Sequence, residues 1–340
     1  MTHEYPVNYK PLTTFFTPDT SLHKQGVDML KKGKIAAIVL AGGHGSRLGY
    51  NAPKGCFPVY EEKSLYQLLA EKTHQASTLY SCDLHLGIMT SDATHQKTIE
   101  HFEQANYFGL KKSQACFFQQ ENLPLEDIFG QVLANSAPDG NGALFWHFAN
   151  SGHLAKWKSL GIEHVIVFPV DNALADPFQP DLIGLHTAHN NDVSIVGITR
   201  ETPLEQVGVL VEQGSKIAVI EYSEMPDSER LAKGPSGELK YPLANISYFA
   251  FSMAFMHKMV QMPISMLPLH KAKKKVIIDE VERDCYKSEY FIFDTLSYCQ
   301  NAEVLLLPRE EYFAPLKNKT GPQSIETVRS ALKSKNKNQQ

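Results

Sequence analysis

The sequence predicts an α/β protein with a mostly parallel central sheet and a smaller antiparallel region. Strand and helix patterns alternate over the first 200 residues, starting with the apolar, β-branched run at 35–41, as expected of parallel strands buried between helices. Later strand patterns follow one another without long helices between them. A glycine-rich loop follows the first strand, at the edge of the sheet where such folds bind their ligands.

The individual elements follow from hydrophobic periodicity and from turn residues. In the first half, helices are predicted at 64–80, from a cap at Asp92 to about 107, and after Gly142, with strands at 84–90, 115–118, 164–170 and 193–199. In the second half, strands are predicted at 207–212, 216–222, 245–251 and 303–307, with a helix at 291–299. The polar tail at 333–340 is expected to be disordered.

Length and composition exclude several classes of protein. The 340 residues are enough for one large α/β domain with an appended subdomain, and a net charge of −4 gives no footprint for nucleic acid. No apolar run reaches the length of a membrane span, and the polar start lacks a signal-peptide core, so a cytoplasmic protein without membrane contact is expected. The five scattered cysteines contain no C-x-x-C pair, which favours reduced thiols.

The loop after the first strand is typical of a phosphate-binding site. Its glycines let backbone N–H groups approach a polyphosphate, and two cationic side chains accompany them; the residues are Gly42, Gly43, Gly45, Gly49, Arg47 and Lys54. A P-loop would require Lys-Ser/Thr after the last glycine, where Tyr50 follows Gly49. The dinucleotide fingerprint counted from Gly43 would require glycine at Leu48. The loop therefore predicts nucleotide binding of another type.

The combination GG-x-G-x-RLG followed by PKG resembles the nucleotidyltransferases that make UDP-sugars, above all the UDP-N-acetylhexosamine pyrophosphorylases. The resemblance continues in order along the chain through GIMTS (87–91), YFGL (107–110), FFQQENLP (117–124), APDGNGAL (137–144), VDN (170–172), VIEYSE (219–224), ANIS (244–247), FIFD (291–294) and FAPLKN (313–318). It implies a Rossmann-like nucleotidyltransferase domain at 35–318, with a nucleotide half at about 35–200 and a sugar-binding part at about 201–318. Residues 1–34 are then an N-terminal segment, and 319–340 a C-terminal helix and tail.

The resemblance also implies a reaction and its partners. UTP and N-acetylglucosamine 1-phosphate, or a related sugar 1-phosphate, would give the UDP-sugar and pyrophosphate, with Mg²⁺ as cofactor. Longer members of the family carry additional chain on both sides, so this sequence resembles a minimal catalytic version, expected to be a monomer or a weak homo-oligomer.

The same resemblance assigns the nucleotide site. It places Leu40, Ala41, Gly42, Gly43, Gly45, Gln120, Pro138, Gly140, Asn141 and Lys317 against the nucleotide. Gln120 is preferred to Gln119 as the uracil-facing residue because it stands four residues before Pro124, as the family glutamine does. A side-chain amide suits this role, since it offers a donor and an acceptor to an imide edge.

Charged residues complete the predicted chemistry. By the resemblance, Arg47, Lys54 and Lys287 are catalytic: the first two neutralise the leaving pyrophosphate, and Lys287 brings in the sugar phosphate. Asp171 follows an apolar strand, which delivers its carboxylate to the ligand edge of the sheet as a Mg²⁺ ligand; a helix-capping aspartate is the alternative. Asp294 is a weaker metal candidate that could equally belong to a helix surface.

The sugar is expected to meet Asn245, Glu221 and Asn141, again by resemblance. His186 and His189 are interpreted as a polar helix face, and the basic run at 270–275 as a solvated surface. Two alternatives stay open: a UTP–glucose-1-phosphate or broad UDP-sugar pyrophosphorylase, and a UDP-sugar-binding regulator that has lost catalysis. The three residues Arg47, Lys54 and Asp171 argue against the regulator, because binding alone would not require all of them.

Overall fold

Strands and helices alternate along the first half of the chain in the computed structural model, which describes residues 8–278 and 281–338. The strands are β1 (Tyr9–Pro11), β2 (Ile35–Leu40), β3 (Pro58–Tyr60), β4 (Lys63–Ser64), β5 (His85–Thr90), β6 (Ala115–Gln119), β7 (Asn122–Asp127), β8 (Val132–Pro138), β9 (His164–Pro169), β10 (Val193–Thr199), β11 (Gly208–Gln213), β12 (Lys216–Ile220), β13 (Leu243–Ser252), β14 (His270–Ile278), β15 (Val281–Glu289) and β16 (Ala302–Leu306). The helices are α1 (Thr20–Lys31), α2 (Leu65–Tyr80), α3 (Asp92–Gln104), α4 (Leu144–Asn150), α5 (His153–Ser159), α6 (Pro180–Ala188), α7 (Asp227–Arg230), α8 (Met253–Val260), α9 (Arg309–Tyr312) and α10 (Ile325–Asn338).

Four parallel strands form the centre of the main sheet, in the order β6-β5-β2-β9. All six residues of β2 are buried, which explains why its sequence IAAIVL is apolar on both faces. Because the strands are parallel, their carboxyl ends lie at one edge of the sheet, and the loops that follow them meet there. The predicted α/β fold with a mostly parallel core is confirmed.

Antiparallel strands extend this sheet beyond β9. β13 pairs antiparallel with β9, β10 and β11, while β12 and β1 add to β11. β16 pairs in parallel with β10. The predicted antiparallel region is therefore continuous with the parallel core, and strands from both predicted halves share one sheet.

A separate four-stranded sheet, in the order β14-β15-β7-β8, was not predicted. Its strands β14 and β15 are rich in charged residues, and their cross-strand ion pairs Lys273–Asp284 and Lys275–Glu282 lie in solvent. The basic run was therefore interpreted correctly as a solvated face over Lys271–Lys275, and it lies on strand β14, which was not predicted.

Apolar side chains form a core on each face of the main sheet. Alternate residues of β2 divide between the two: Ala37 and Val39 pack on one side, and Ala36 and Ile38 on the other. This alternation follows from the period-two geometry of a strand. Among the described residues, no helix has both the length and the apolar character that crossing a membrane would require.

Several local predictions were wrong. Helix α3 begins at Asp92 with Ser91, not Asp92, as its N-cap, and it ends at Gln104. The predicted helix at 291–299 is a 3₁₀ helix over Ile292–Tyr298. The tail predicted to be disordered is helical as far as Asn338, and residues 339–340 lie outside the described residues.

The two histidines of α6 also differ from their interpretation as a polar face. His186 is buried, and its Nδ1 lies 3.0 Å from the hydroxyl of Ser194. His189 caps the end of the helix and pairs with Glu303 at 2.7 Å. The interpretation failed because α6 is covered on most of its surface and so has no continuous polar side.

Candidate active site

The loops after β2, β5, β6 and β9 meet at the carboxyl edge of the parallel strands. In register, Leu40 at the end of β2 lies beside Met89 of β5 and Pro169 of β9. β13 runs antiparallel to β9, so its first residues, including Asn245, reach the same edge. Leu40 and Asn245, which are far apart in the sequence, thus lie in one row of residues along this edge of the sheet.

The glycine loop is fixed by its own backbone and by the neighbouring loop. Its amides bond within the loop, Gly45 N to Ala52 O at 2.9 Å and Lys54 N to Gly43 O at 3.1 Å. The hydroxyl of Ser91 donates to the carbonyl of Gly42 at 2.9 Å. Gly43 faces open space, since no atom lies within 4 Å of where its Cβ would be. The loop is thus held in a conformation that leaves Gly43 accessible to a ligand.

Gln120 lies directly against this loop. A Cβ on Gly42 would stand 2.3 Å from Gln120 Nε2, so a larger residue at this position would displace the end of the Gln120 side chain. Gln120 is 8% exposed, whereas Gln119 points into solvent. The structure therefore brings the predicted uracil-facing glutamine, and not its neighbour, to the nucleotide loop.

Lys54 and Asp171 form an ion pair across the loops after β2 and β9, with 3.4 Å between Lys54 Nζ and Asp171 Oδ2. Both side chains are 18% exposed, so the pair is open to solvent on one side. The backbone carbonyl of Asp171 accepts from Leu316 N at 2.8 Å, which places the segment before Lys317 beside it. A cation, a carboxylate and a second cationic segment are therefore neighbours.

The predicted base-facing turn packs on the backbone of Tyr290. Gly140 has φ +92°, and a Cβ there would lie 2.4 Å from Tyr290 O. Asn141 Oδ1 accepts from Ile292 N at 2.9 Å, so this side chain ties the turn to the segment after β15. Pro138, the last residue of β8, leads into the turn.

A buried pair, Asp139 and His147, packs against this turn. Sequence reasoning missed this pair. Asp139 is 3% exposed, and its Oδ2 lies 2.7 Å from His147 Nε2. The backbone of Asp139 bonds to Glu121 O at 3.0 Å, next to Gln120. The pair therefore links the turn to the strand end that carries the glutamine.

Glu221 and Asn245 stand on either side of Gly208. A Cβ on Gly208 would be 3.6 Å from Glu221 Oε2 and 3.7 Å from Asn245 Cβ. Asn245 is 5% exposed, and its Oδ1 accepts from Ser247 N at 3.1 Å. Its Nδ2 makes no hydrogen bond within residues 8–278 and 281–338, which leaves a donor at this edge.

The environment of Glu221 is crowded with carboxylates. Burial, the charge of Glu224 and, more weakly, that of Glu289 raise the pKa of Glu221 to about 7, although Lys317 and His270 lower it. Lys317 is therefore close enough to act on the predicted sugar-facing carboxylate. Lys317, predicted to lie near the phosphates, and Glu221, predicted to meet the sugar, therefore influence each other electrostatically.

The remaining predicted cations differ in how they are held. Lys287 pairs with Glu289 at 2.8 Å, and both side chains are about one-quarter exposed. Arg47 is exposed and makes no hydrogen bond or ion pair with the part of the chain that the structure describes. Leu40 and Ala41 are buried, so they can offer backbone groups only.

Asp294 lies with His270, not with Asp171. The imidazole of His270 bridges two carboxylates, Glu224 Oε1 at 2.6 Å and Asp294 Oδ2 at 2.9 Å. Burial alone would lower the pKa of His270, but these two partners raise it to about 9. Sequence reasoning missed this residue because it was grouped with the lysines that follow; the carboxylates in VIEYSE and FIFD were a signal that could have indicated a cationic partner.

A magnesium ion would fit this edge through Asp171. Within the described residues, no group of three or more His, Cys, Asp or Glu side chains could hold a metal by itself. Magnesium does not need such a cage, because it keeps waters and binds through one or two carboxylates plus substrate phosphates. The carboxylate of Asp171 already stabilises one cation, the ammonium of Lys54.

Comparison with known proteins agrees with this geometry. A family model described as UTP–glucose-1-phosphate uridylyltransferase matches residues 3–338. A Schizosaccharomyces pombe protein named "Probable UDP-N-acetylglucosamine pyrophosphorylase" is 35% identical over 92% of this chain and 72% of its own length. The Saccharomyces cerevisiae UDP-N-acetylglucosamine pyrophosphorylase is 31% identical, over 96% of this chain and 73% of its own.

Among solved structures, the uridine diphosphate N-acetylglucosamine pyrophosphorylase of Trypanosoma brucei in complex with an inhibitor has a TM-score of 0.87. It is 27% identical and matches 96% of this chain and 73% of that chain. Sequence motifs, fold and edge geometry agree, and the chain belongs to the UTP–glucose-1-phosphate uridylyltransferase family.

Proposed function

We propose that this protein is a uridylyltransferase that forms UDP-N-acetylglucosamine and pyrophosphate from UTP and N-acetylglucosamine 1-phosphate. One observation carries the proposal: the glycine loop with Gln120, the Lys54–Asp171 pair and the Glu221–Asn245 pair lie along one edge of the sheet. This row supplies groups suited to a uracil base, a polyphosphate and a sugar. The names of the relatives support the same substrates.

The reaction needs positioning and charge stabilisation more than acid–base chemistry. An oxygen of the sugar phosphate attacks the α-phosphorus of UTP in line, the bond to the β-phosphate breaks, and pyrophosphate leaves with the bonding electrons. The nucleophile is already an anion, so no base is required and no covalent enzyme intermediate is formed. The main barrier is the repulsion between two polyanions, which aligned cations reduce.

The chain's own cations can share this work. Lys54 lies at the phosphate end of the row, and the exposed side chain of Arg47 can turn toward the leaving pyrophosphate. Lys287 and Lys317 lie nearer the sugar side, since Lys287 pairs with Glu289 and the charge of Lys317 acts on Glu221. Asp171 would hold Mg²⁺, which supplies further positive charge to the triphosphate when bound.

Asn245 is the residue that best supports an acetamido sugar. Its Oδ1 is already used by Ser247 N, so the side chain is oriented and can offer Nδ2–H to the acetamido carbonyl. A buried donor penalises a sugar that leaves it unpaired, so glucose 1-phosphate should be the poorer substrate.

Pyrophosphate release from UTP, measured with a panel of sugar 1-phosphates, tests the proposal. N-acetylglucosamine 1-phosphate should give a higher kcat/KM than glucose 1-phosphate. Asn245→Asp keeps the acceptor for Ser247 N and removes the Nδ2 donor, so it should narrow this gap, whereas Asn301→Ala in an exposed loop should not.

Two outcomes would contradict the proposal at different levels. Equal efficiencies for the two sugars in the unmodified protein would overturn the hexosamine assignment and leave uridylyl transfer standing. Binding of UDP-N-acetylglucosamine without any pyrophosphate release would favour the regulator that has lost catalysis.

A further inference from the structure

The C-terminal helix α10 packs against the loops that carry the candidate phosphate-handling residues. Val328 and Leu332 on its inner face are buried. Arg329 Nε donates to the carbonyl of Val59 at 2.7 Å, five residues after Lys54. This contact connects the helix to the chain that leaves the nucleotide loop.

Lys335, two turns further along α10, reaches two other segments. Its Nζ donates to Glu311 O at 2.9 Å and to Leu174 O at 3.3 Å. The ammonium also lies 4.9 Å from the centre of the Tyr312 ring, a favourable cation–π distance. One side chain thus joins the loop after Asp171 to the segment that leads to Lys317.

A second ammonium group, that of Lys72, binds the same loop. Lys72 of α2 donates to Ala173 O at 3.0 Å and to Ala175 O at 2.6 Å. Three consecutive carbonyls, those of residues 173, 174 and 175, therefore accept from two lysines. Burial and the charge of Lys335 lower the pKa of Lys72 to about 8, so the two ammonium groups lie close together and the carbonyls offset part of the cost of burying them.

The loop and the segment that these lysines hold are also joined to each other. Asn172 Nδ2 donates to Tyr312 O at 2.8 Å, and Asn172 Oδ1 accepts from Ala314 N at 3.0 Å. Leu316 N then donates to Asp171 O at 2.8 Å. Asp171 and Lys317 consequently stand at one end of a hydrogen-bonded ladder, and Lys335 closes the other end.

We propose that Lys335 is a positioning residue for uridylyl transfer: by joining Leu174 O to Glu311 O, it sets the placement of Asp171 relative to Lys317. The proposal rests on the proposed function for its kinetic consequence. Lys335 touches no substrate, and it acts through the backbone of the two segments. Uridine binding at Gln120 and Gly42 lies outside this ladder and should be affected little.

The kinetic test compares Lys335→Met with Lys335→Arg. The methionine keeps the apolar stem and removes the donor, so kcat should fall by about tenfold to a hundredfold, as displacement of a catalytic group by about 1 Å does. The KM for UTP should change less than threefold. The arginine variant should recover most of the lost kcat, because it restores a cationic donor.

Lys333→Met and Lys337→Met are matched controls, since both lysines are exposed on the same helix. Each should keep kcat within twofold. A purely structural role would lower the melting temperature of Lys335→Met while leaving kcat per folded molecule unchanged, and that result would overturn the proposal. An equal loss in Lys333→Met would overturn it as well.

Hydrogen exchange keeps the test independent of the reaction. The amides of Ala314 and Leu316 should exchange at least tenfold faster in Lys335→Met than in the unmodified protein, and unchanged in Lys333→Met. Unchanged exchange in both variants would reject the positioning role even if the protein proved inactive with UTP. A protein that catalyses no transfer but shows the faster exchange would instead contradict only the proposed function.

Discussion

At the scale of single residues, Glu221 links the predicted sugar side of the site to Lys317, which is predicted to lie near the phosphates. Its carboxylate lies near Asn245 across Gly208, and the charge of Lys317 reaches it. Lys317 favours its charged form, whereas burial and the charges of Glu224 and Glu289 oppose it. The balance leaves Glu221 with a pKa near the working pH of an enzyme, which is typical of functional sites.

Glu221 should make the stability of the free protein depend on pH. The folded state raises the pKa of this carboxyl from 4.5 to about 7, so the folded protein holds the proton more tightly than the unfolded chain. Stability is therefore lost as pH rises through this window, and the loss is complete above pH 7. Glu221→Gln removes this destabilisation and should raise the free energy of unfolding at pH 8 by roughly 3 kcal/mol, but not at pH 4.

Urea unfolding at both pH values checks this expectation. Glu62→Gln, which removes one exposed carboxylate from a turn, is the matched control and should show no difference between the two pH values. If Glu221→Gln raised the free energy of unfolding as much at pH 4 as at pH 8, the ionised carboxylate of Glu221 would not be destabilised by its surroundings.

Secondary-structure elements in this chain position functional groups through tight backbone contacts. The turn at Gly140 is the clearest case, because it combines a positive φ with a backbone neighbour 2.4 Å from the position of a Cβ. Gly130 has a similar φ of +83° but open space around it. Substituting each glycine by alanine therefore distinguishes the energetic cost of the positive φ from that of the close contact with Tyr290.

Gly140→Ala should therefore be much more damaging than Gly130→Ala. Gly130→Ala should lower the free energy of unfolding by about 1 kcal/mol, because alanine is disfavoured in the left-handed conformation. Gly140→Ala must also move the turn away from Tyr290, so we expect a larger loss of stability and at least a tenfold weaker affinity for UTP. Urea unfolding and titration calorimetry measure the two effects, and similar values for the two variants would show that the contact with Tyr290 is dispensable.

The elements also show what could be predicted from sequence. The strand predicted at 193–199 has those bounds in the structure, because its apolar run is buried on both faces. The β14–β15 hairpin was missed, because its strands are stabilised by cross-strand ion pairs that leave no hydrophobic pattern. Ser91 was missed as a cap because Asp92 beside it is an equally good candidate by residue type.

In the candidate site, too, local sequence patterns predict some features, and tertiary structure determines the others. The sequence could place Asp171 and Gln120 at one edge of the sheet, since each follows a strand end that the hydrophobic pattern locates, and Lys54 by its membership of the glycine loop; their roles stay predictions. The pairing of Lys54 with Asp171 and the bridge from His270 to Glu224 and Asp294 depend on strand order, which periodicity does not contain. The supporting pair Asp139–His147 depends on the same tertiary information.

At the scale of the whole molecule, the site draws its residues from both predicted halves, so ligand binding should stabilise the entire fold. UTP with Mg²⁺ at a hundred times its Kd should add about 2.7 kcal/mol to the stability, which raises the melting temperature by several degrees. ATP should raise the melting temperature much less, because we expect the amide of Gln120 to face a uracil imide edge. Thermal shift measurements decide this, and equal shifts with UTP and ATP would remove Gln120 from the base site.

Asp171 contacts several parts of the candidate site. It follows the carboxyl end of β9, pairs with Lys54, and accepts a backbone hydrogen bond from the segment before Lys317. Asp171→Asn keeps the shape and the backbone bond to Leu316 but removes the charge that a magnesium ion requires. The ion pair with Lys54 is open to solvent on one side, so its loss should cost the fold no more than about 1 kcal/mol.

The most direct measurement is therefore the rate of pyrophosphate release from UTP and N-acetylglucosamine 1-phosphate by Asp171→Asn, as a function of Mg²⁺, beside the unmodified protein. Asp28→Asn, which alters one exposed carboxylate on α1, is the control. We predict a fall in kcat of at least about a hundredfold for Asp171→Asn with a nearly unchanged melting temperature, and no change for the control. Full turnover by Asp171→Asn with the same Mg²⁺ dependence would contradict the assignment of this edge of the sheet as the active site.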